Sequence, residues 1–251
     1  MVRGPKVAFT LFFHQQKMVK KVILPKLYYW SNMLVKTKGI VISYIQYKET
    51  SIIAKIYTEE HGIQSFIING VRSKKAKIGI ALFQPLTLIE IVFFYKEGKG
   101  LKRINEIKCS IPHQKIPYDI RRSCVSLFMS EVINKSIGEE ASDQEMFNFL
   151  YSSILYLDQE KFNPDFHIWF LLQLSFYLGF GPQQSTDIVL KHNEYHSVIE
   201  DVLEKSILEM NISSNLVRRN VLELIVLFYG RNIDRCNDFK SIKILNEVFS
   251  T

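Results

Sequence analysis

Long apolar runs are missing from this chain. The most apolar stretch, Phe166 to Phe180, is broken by His167, Gln173 and Ser175 and falls short of the ~18 to 20 apolar residues of a spanning helix, which argues against a helical membrane span. Cysteine is equally scarce. Cys109, Cys124 and Cys236 are too few and too scattered for a disulfide framework, and a reducing cytosol fits them better. There is no internal repeat and no low-complexity tract, so neither a solenoid nor a disordered linker is expected. With 47% hydrophobic and 23% charged residues, the 251-residue chain can bury one or two cores.

Acidic residues are unevenly missing too. Residues 1–32 hold six Lys/Arg and no acid, residues 33–110 hold thirteen against six, and residues 111–251 hold thirteen against nineteen. The net charge of +7 is therefore the difference between a basic front and an acidic back. A folded segment with such an excess attracts polyanions, because Lys and Arg displace the counterions condensed on a phosphate backbone. A membrane surface would attract it as well.

The first 32 residues imitate a signal peptide poorly: Arg3 and Lys6 precede the short apolar run Val7 to Phe13, but no small-residue cleavage site follows and Lys17, Lys20 and Lys21 come next. Met33 opens a strand-like segment. The expectation is that the working protein starts there and that residues 1–32 are an atypical extension; the competing reading is a basic arm that binds nucleic acid.

From Lys36 to Ile111, β-branched and aromatic residues come in short runs separated by Gly or charged turns. Five strands are expected, at about Lys36 to Ile45, Thr50 to Thr58, Ile63 to Asn69, Gln84 to Tyr95 and Lys102 to Ile111. In the second, Ile52, Ala54 and Ile56 alternate with Ile53, Lys55 and Tyr57, giving one core face and one mixed face. Glu59-Glu60-His61-Gly62 reads as a hairpin turn with Gly62 at positive φ. Five short strands favour a small closed barrel of the OB type, since closure removes exposed edges.

After Pro112 and Pro117 the apolar period becomes helical. Asp143 precedes Met146, Phe147, Leu150, Tyr151 and Ile154. Asn163-Pro164 offers an N-cap and an N1 proline before Phe166, Trp169, Phe170 and Tyr177, and Gly179 and Gly181-Pro182 stop that helix. Ser213, Ser214 or Asn215 caps a stripe of Val217, Val221, Leu224, Ile225 and Phe228, and Ser241 starts a last helix burying Ile242, Leu245, Val248 and Phe249. Gln183 to Ser197 reads as a polar surface excursion. The fold class is α+β: an extension at 1–32, an OB barrel over 33–113, and an all-α domain over 114–251.

Motifs that would carry catalysis fail on spacing. Cys109, His113 and Cys124 lack the close pairs of a zinc site and read as structural thiols. In His192-Asn-Glu-Tyr-His196 the glutamate is one position late for H-E-x-x-H, so solvated loop histidines are expected. Gly70 to Gly79 lacks the second Gly before Lys-Ser/Thr that a P-loop needs. The loops do carry cations: Arg72, Lys74, Lys75 and Lys77 after the third strand; Lys96, Lys99, Lys102 and Arg103 around Gly98 and Gly100; and Lys48 in the first connection, with Lys38 and Lys55 on the first two strands. In OB barrels the loops joining strands 1 to 2 and 4 to 5 flank the face made by strands 2 and 3, on which single strands lie, and Tyr44, Tyr47, Tyr57 and Phe66 fall on or beside it.

From Met33 onward the chain resembles RecO, a family of bacterial DNA repair and recombination mediators. The resemblance rests on Lys36-Thr-Lys-Gly-Ile-Val41, Tyr47-Lys-Glu-Thr50, Tyr57-Thr-Glu-Glu-His-Gly62, Asn69-Gly-Val-Arg-Ser-Lys74 with Leu82-Phe-Gln-Pro85, Tyr177-Leu-Gly-Phe-Gly-Pro182 and Lys240-Ser-Ile-Lys-Ile-Leu245. It implies a cytoplasmic, nucleoid-associated protein that is not an enzyme. Such proteins bind single- and double-stranded DNA and anneal complementary strands. With RecR they help place RecA on strands coated by single-strand-binding protein, whose acidic C-terminal tail docks on the helical domain. Some members carry a four-cysteine zinc site after the Leu-Gly-Phe segment; Gln183 to His196 contains no cysteine, so no zinc or other cofactor is expected. An adaptor that bridges proteins through exposed apolar side chains near Trp169 or Phe228, with DNA contact secondary, is the alternative. A nuclease on an OB scaffold is a third.

Overall fold

The computed structural model describes residues 33–250, except 75, 77, 97, 99, 139–141 and 192. Five strands come first: β1 (Met33–Tyr47), β2 (Ser51–Thr58), β3 (Gly62–Ile68), β4 (Leu88–Tyr95) and β5 (Lys102–Ile111). They close into a barrel in the order β1-β2-β3-β5-β4. The closing contact is short, a parallel pairing of Phe66 with Lys102 and Ile67 with Arg103. This is the OB-type arrangement expected from the strand pattern.

Closure depends on β1, which serves two neighbours. Its first half pairs with β4, from Met33↔Tyr95 to Ile40↔Leu88, and its second half with β2, from Gly39↔Thr58 to Tyr47↔Ser51. Gly39 sits where the partners change, and a Cβ there would lie 2.7 Å from Ile56 Cγ2. A side chain would push β1 and β2 apart at the bend. The β2–β3 hairpin turns as its sequence requires: Gly62 has φ +63, and the Thr58 hydroxyl accepts from the His61 N–H and donates to the Gly62 carbonyl.

Alternation along the strands separates two cores. Ile52, Ala54, Ile56, Phe66, Ile89, Ile91 and Phe93 fill the barrel, capped by Phe83 from a 3-10 turn at Ile80–Phe83. Ile40, Ile42, Tyr57, Ile63, Leu86 and Leu88 face outward and join the core of the helical domain instead. The fourth strand begins four residues later than its sequence suggests, because the chain turns through Leu86 at φ +62 before it can enter the sheet.

Six helices follow: α1 (Ile120–Ser136), α2 (Gln144–Gln159), α3 (Phe166–Tyr177), α4 (His196–Glu204), α5 (Asn215–Asn232) and α6 (Ser241–Ser250). The caps on α2 and α5 match the sequence: Asp143 accepts from Glu145 N and Met146 N, and Ser214 accepts from Val217 N. For α3 the cap is Asp165 rather than Asn163. Asn163 accepts from Asp165 N at 2.8 Å, an Asx turn that sets up the helix from one step outside it. Nine of its twelve residues are buried, so α3 is the central helix. It closes on a Schellman motif, Phe180 N to Ser175 O and Gly179 N to Phe176 O.

Two expectations need correction. Within Gln183 to Ser197, Ile188 and Val189 are buried, and His196 opens α4 rather than lying in a solvated loop; it is half-buried and meets Ser185 Oγ at 2.9 Å and Glu200 at 3.6 Å. In α6 only Leu245 of the four apolar positions is fully buried, while Ile242, Val248 and Phe249 pack partly exposed against the core. Among the described residues no helix is long and apolar enough to cross a membrane.

Candidate nucleic-acid interface

The outer face of β1–β2–β3 consists of cross-strand rows fixed by register. The row Ile40–Tyr57–Ile63 is covered by the helical domain. Next comes Ser43–Lys55–Ser65, and then Ile45–Ile53–Ile67, which continues onto β5 as Arg103. Ile45 is 64% exposed, Ile53 and Ile67 are half-buried, and Arg103 is exposed. An open apolar row ending in a cation is a surface on which bases can lie while phosphates meet charge.

Cations cluster at the β1–β2 end of this face. Lys48, in the turn, is exposed with φ +52. Arg72 reaches back from the segment after β3: its N–H donates to Thr50 O at 3.0 Å, and its guanidinium lies 3.5 Å from Lys48 O. Lys74 is exposed beside it in sequence. Lys48 Nζ also sits 5.4 Å over the half-buried Tyr47 ring.

The β4–β5 connection lies against the opposite, hairpin end of β2 and β3. His61 stacks on Tyr95 at 4.1 Å, and Lys102 Nζ lies 5.8 Å from the same ring. Lys96 is exposed, but Lys102 is only 8% exposed and donates to Gly98 O. Burial lowers the pKa of Lys102, and burial together with the nearby Lys102 charge lowers that of His61. Lys102 thus braces the loop, a correction to its expected place among the free cations.

Tyr57 and Phe66 are corrections as well. Both are 0% exposed. Phe66 is inside the barrel, edge-on to Phe93 at 5.0 Å. Tyr57 is beneath the helical domain, where its hydroxyl approaches Asp143 O at 3.4 Å and burial raises its pKa to about 12. Neither ring can stack on a base. Lys55 is half-buried and donates to Asn134 Oδ1 of α1 at 3.3 Å, and Tyr44 packs partly buried against the inner core. Lys38 stays exposed, 5.7 Å over the Tyr151 ring. Lys75, Lys77 and Lys99 lie outside the described residues, as do residues 1–32. The apolar row was the missed part of the site; its signal is the odd positions of β2, where Ile53 shares a face with Lys55.

No three His, Cys, Asp or Glu side chains converge for a metal among the described residues. Cys124 is buried in α1, and His113 Nε2 is bonded to Leu86 O at 3.1 Å. Trp169 and Phe228 are each 6% exposed, which places them in the core rather than on a docking surface.

Comparison with known proteins agrees with this architecture. A family model described as Recombination protein O N terminal matches residues 33–112, and one described as Recombination protein O C terminal matches residues 117–247. The DNA repair protein RecO of Flavobacterium psychrophilum is 33% identical over 241 residues, covering 87% of this chain and all of that protein. The DNA repair protein RecO of Flavobacterium johnsoniae is 33% identical with the same coverage. That of Bacteroides fragilis is 44% identical over 151 residues, 60% of this chain and 62% of its own length. On both its barrel and its helical half, the chain belongs to the RecO family.

Proposed function

We propose that this protein is a non-catalytic mediator of DNA repair and recombination. It binds single- and double-stranded DNA through the barrel, anneals complementary strands, and with RecR assists RecA loading on strands coated by single-strand-binding protein, whose acidic tail docks on the helical domain. The observation that carries this reading is the open row Ile45–Ile53–Ile67, with Arg103 at its β5 end and Lys48 and Arg72 brought together at the β1–β2 end. Phosphates meet the cations and bases lie on the apolar row. Annealing needs no reacting group: the protein holds strands, screens their repulsion and releases duplex. The reading involves no metal or cofactor, and it places the work in the cytoplasm at the nucleoid.

Binding should be salt-sensitive and without strong sequence preference, because phosphate contacts carry no base information. Reversing Arg72, Lys74, Lys75 and Lys77 to Glu together should weaken oligonucleotide affinity at physiological salt by about tenfold or more and flatten its salt dependence, since each lost phosphate contact removes about one unit of slope. Annealing should fall with it. Unchanged affinity would refute this assignment of the surface.

A further inference from the structure

We propose that the cleft where the interdomain linker meets α1 and the α2–α3 connection is a second single-strand binding site, separate from the barrel, which holds the complementary strand during annealing. The proposal rests on the DNA-binding reading above. The cleft, of about 570 Å³, is lined by Lys115, Tyr118, Arg121, Arg122, Lys161 and Phe162, with Asp119 and Glu160 as its acids. Cations therefore outnumber carboxylates. The Asp119 carboxylate is already engaged: it caps α1 by accepting from Arg121 N at 3.0 Å and pairs with the side chains of Arg121 at 3.4 Å and Arg122 at 3.5 Å.

Tyr118 is the telling residue. It is 86% exposed, although a tyrosine ring in water forgoes burial that an ordinary surface residue would not need. The backbone that carries it is held, because Tyr118 N and Asp119 N both donate to Lys115 O at 3.0 Å and the Ser123 hydroxyl donates to Ile116 O at 2.6 Å. Behind it, Arg122 is held by the carbonyls of Leu157 and Glu160, and the Arg121 guanidinium lies 4.8 Å from the Phe162 ring. An open ring on a rigid turn, with Lys115, Arg121 and Lys161 exposed around it, is a stacking platform set among phosphate-binding charges. An acidic peptide would meet the same charges; the open ring adds a face on which a base stacks. Annealing brings two strands together, and a second site beside the barrel face would let one molecule hold both.

The test uses the full chain and a triple variant, Tyr118→Ala with Arg121→Glu and Lys161→Glu, at exposed positions outside the barrel; unchanged thermal unfolding checks that it folds. Two non-complementary oligothymidylate-based strands carrying donor and acceptor dyes report co-occupancy by energy transfer. A 5-iodouracil strand reports contact by photocrosslinking. The expected result is a crosslink to Tyr118 in the parent protein. In the variant, first-strand affinity should stay within about twofold, while second-strand affinity and annealing rate fall about tenfold, the scale of one lost stacked ring. Tyr118→Phe, which keeps the ring, should behave as the parent. Co-occupancy and annealing unaffected in the triple variant would overturn the cleft proposal while leaving the barrel reading intact. So would loss of binding to an Asp/Glu nonapeptide with DNA binding unchanged. Absence of any DNA binding by the parent protein would overturn both.

Discussion

Asp158 is 1% exposed at the C-terminal end of α2, and its carboxylate receives the backbone N–H groups of Gln114 at 2.8 Å and of Lys115 and Ile116 at 2.9 Å. These three residues connect the barrel to α1, so one side chain holds that connection against the end of α2. Asp158→Asn keeps the shape but leaves one oxygen to accept and an NH2 group facing backbone donors. Charged hydrogen bonds contribute about 1.5 to 3 kcal/mol each, and they share one acceptor group here; the expected loss is about 2 to 4 kcal/mol. Equilibrium urea unfolding, followed by circular dichroism, measures it. Burial pushes the Asp158 carboxyl up, but hydrogen bonds from the N–H groups of Ile116, Gln114 and Lys115 outweigh that and leave its pKa below the ordinary carboxylate value. Its stabilisation is therefore fully present above the unfolded-state pKa, near ~3.9, and is lost as pH falls through the folded-state value. The gap between parent and variant should stay constant from neutral pH down to about pH 5 and narrow below about pH 4. A loss under about 1 kcal/mol at neutral pH would refute the view that this carboxylate clamps the linker.

Two further outcomes follow from burial. Tyr57→Phe removes only the hydroxyl contact to Asp143 O and should cost about 0.5 to 1.5 kcal/mol in urea unfolding while oligonucleotide affinity stays unchanged; a drop in affinity would return that ring to the DNA surface. His167, 3% exposed inside the helical core, has its pKa lowered to about 3 by burial and by the Arg218 charge, so the unfolded chain binds a proton there that the folded chain does not. Stability should fall as pH drops from about 6.5 towards the folded value, with a slope of up to about 1.4 kcal/mol per pH unit from this group, and His167→Phe should flatten that slope in unfolding curves taken at successive pH values.

Much of the fold was legible because local rules act within a few residues of each position. Alternation placed all five strands, Gly62 marked the hairpin, and Asp143 and Ser214 marked two helix starts. The misses came from longer-range causes. Nothing local announces the positive φ of Leu86 that delays β4, or the backbone carbonyls of Leu157 and Glu160 that let Arg122 be buried in α1. The site was legible only as charge. Period-two alternation sorts faces within one strand; Tyr57 and Phe66 are on different strands, and only the register Tyr57↔Ile63 and Ala54↔Phe66 puts them on opposite faces, one under the helical domain and the other inside the barrel. Lys102 failed for a nearer reason: at the end of the β4–β5 pairing, just past Phe93↔Ile104, its side chain lies over Tyr95 and donates back to Gly98 O, which the sequence shows only as a basic loop.

The helical domain therefore does more than follow the barrel: it determines which part of the barrel stays open. It covers the Ile40–Tyr57–Ile63 row, engages Lys55 through Asn134, and leaves the row ending at Arg103 in water. Its own charge works in the same direction. Residues 111–251 carry nineteen acids against thirteen Lys/Arg, so a phosphate backbone on the open rows is repelled from the helical side and drawn towards Lys48, Arg72 and Arg103. Against that acidic background, the cation-rich cleft around Tyr118 is a local exception. On the proposed reading, two separate strands could each occupy one of these positive regions, which is an arrangement from which complementary strands can pair.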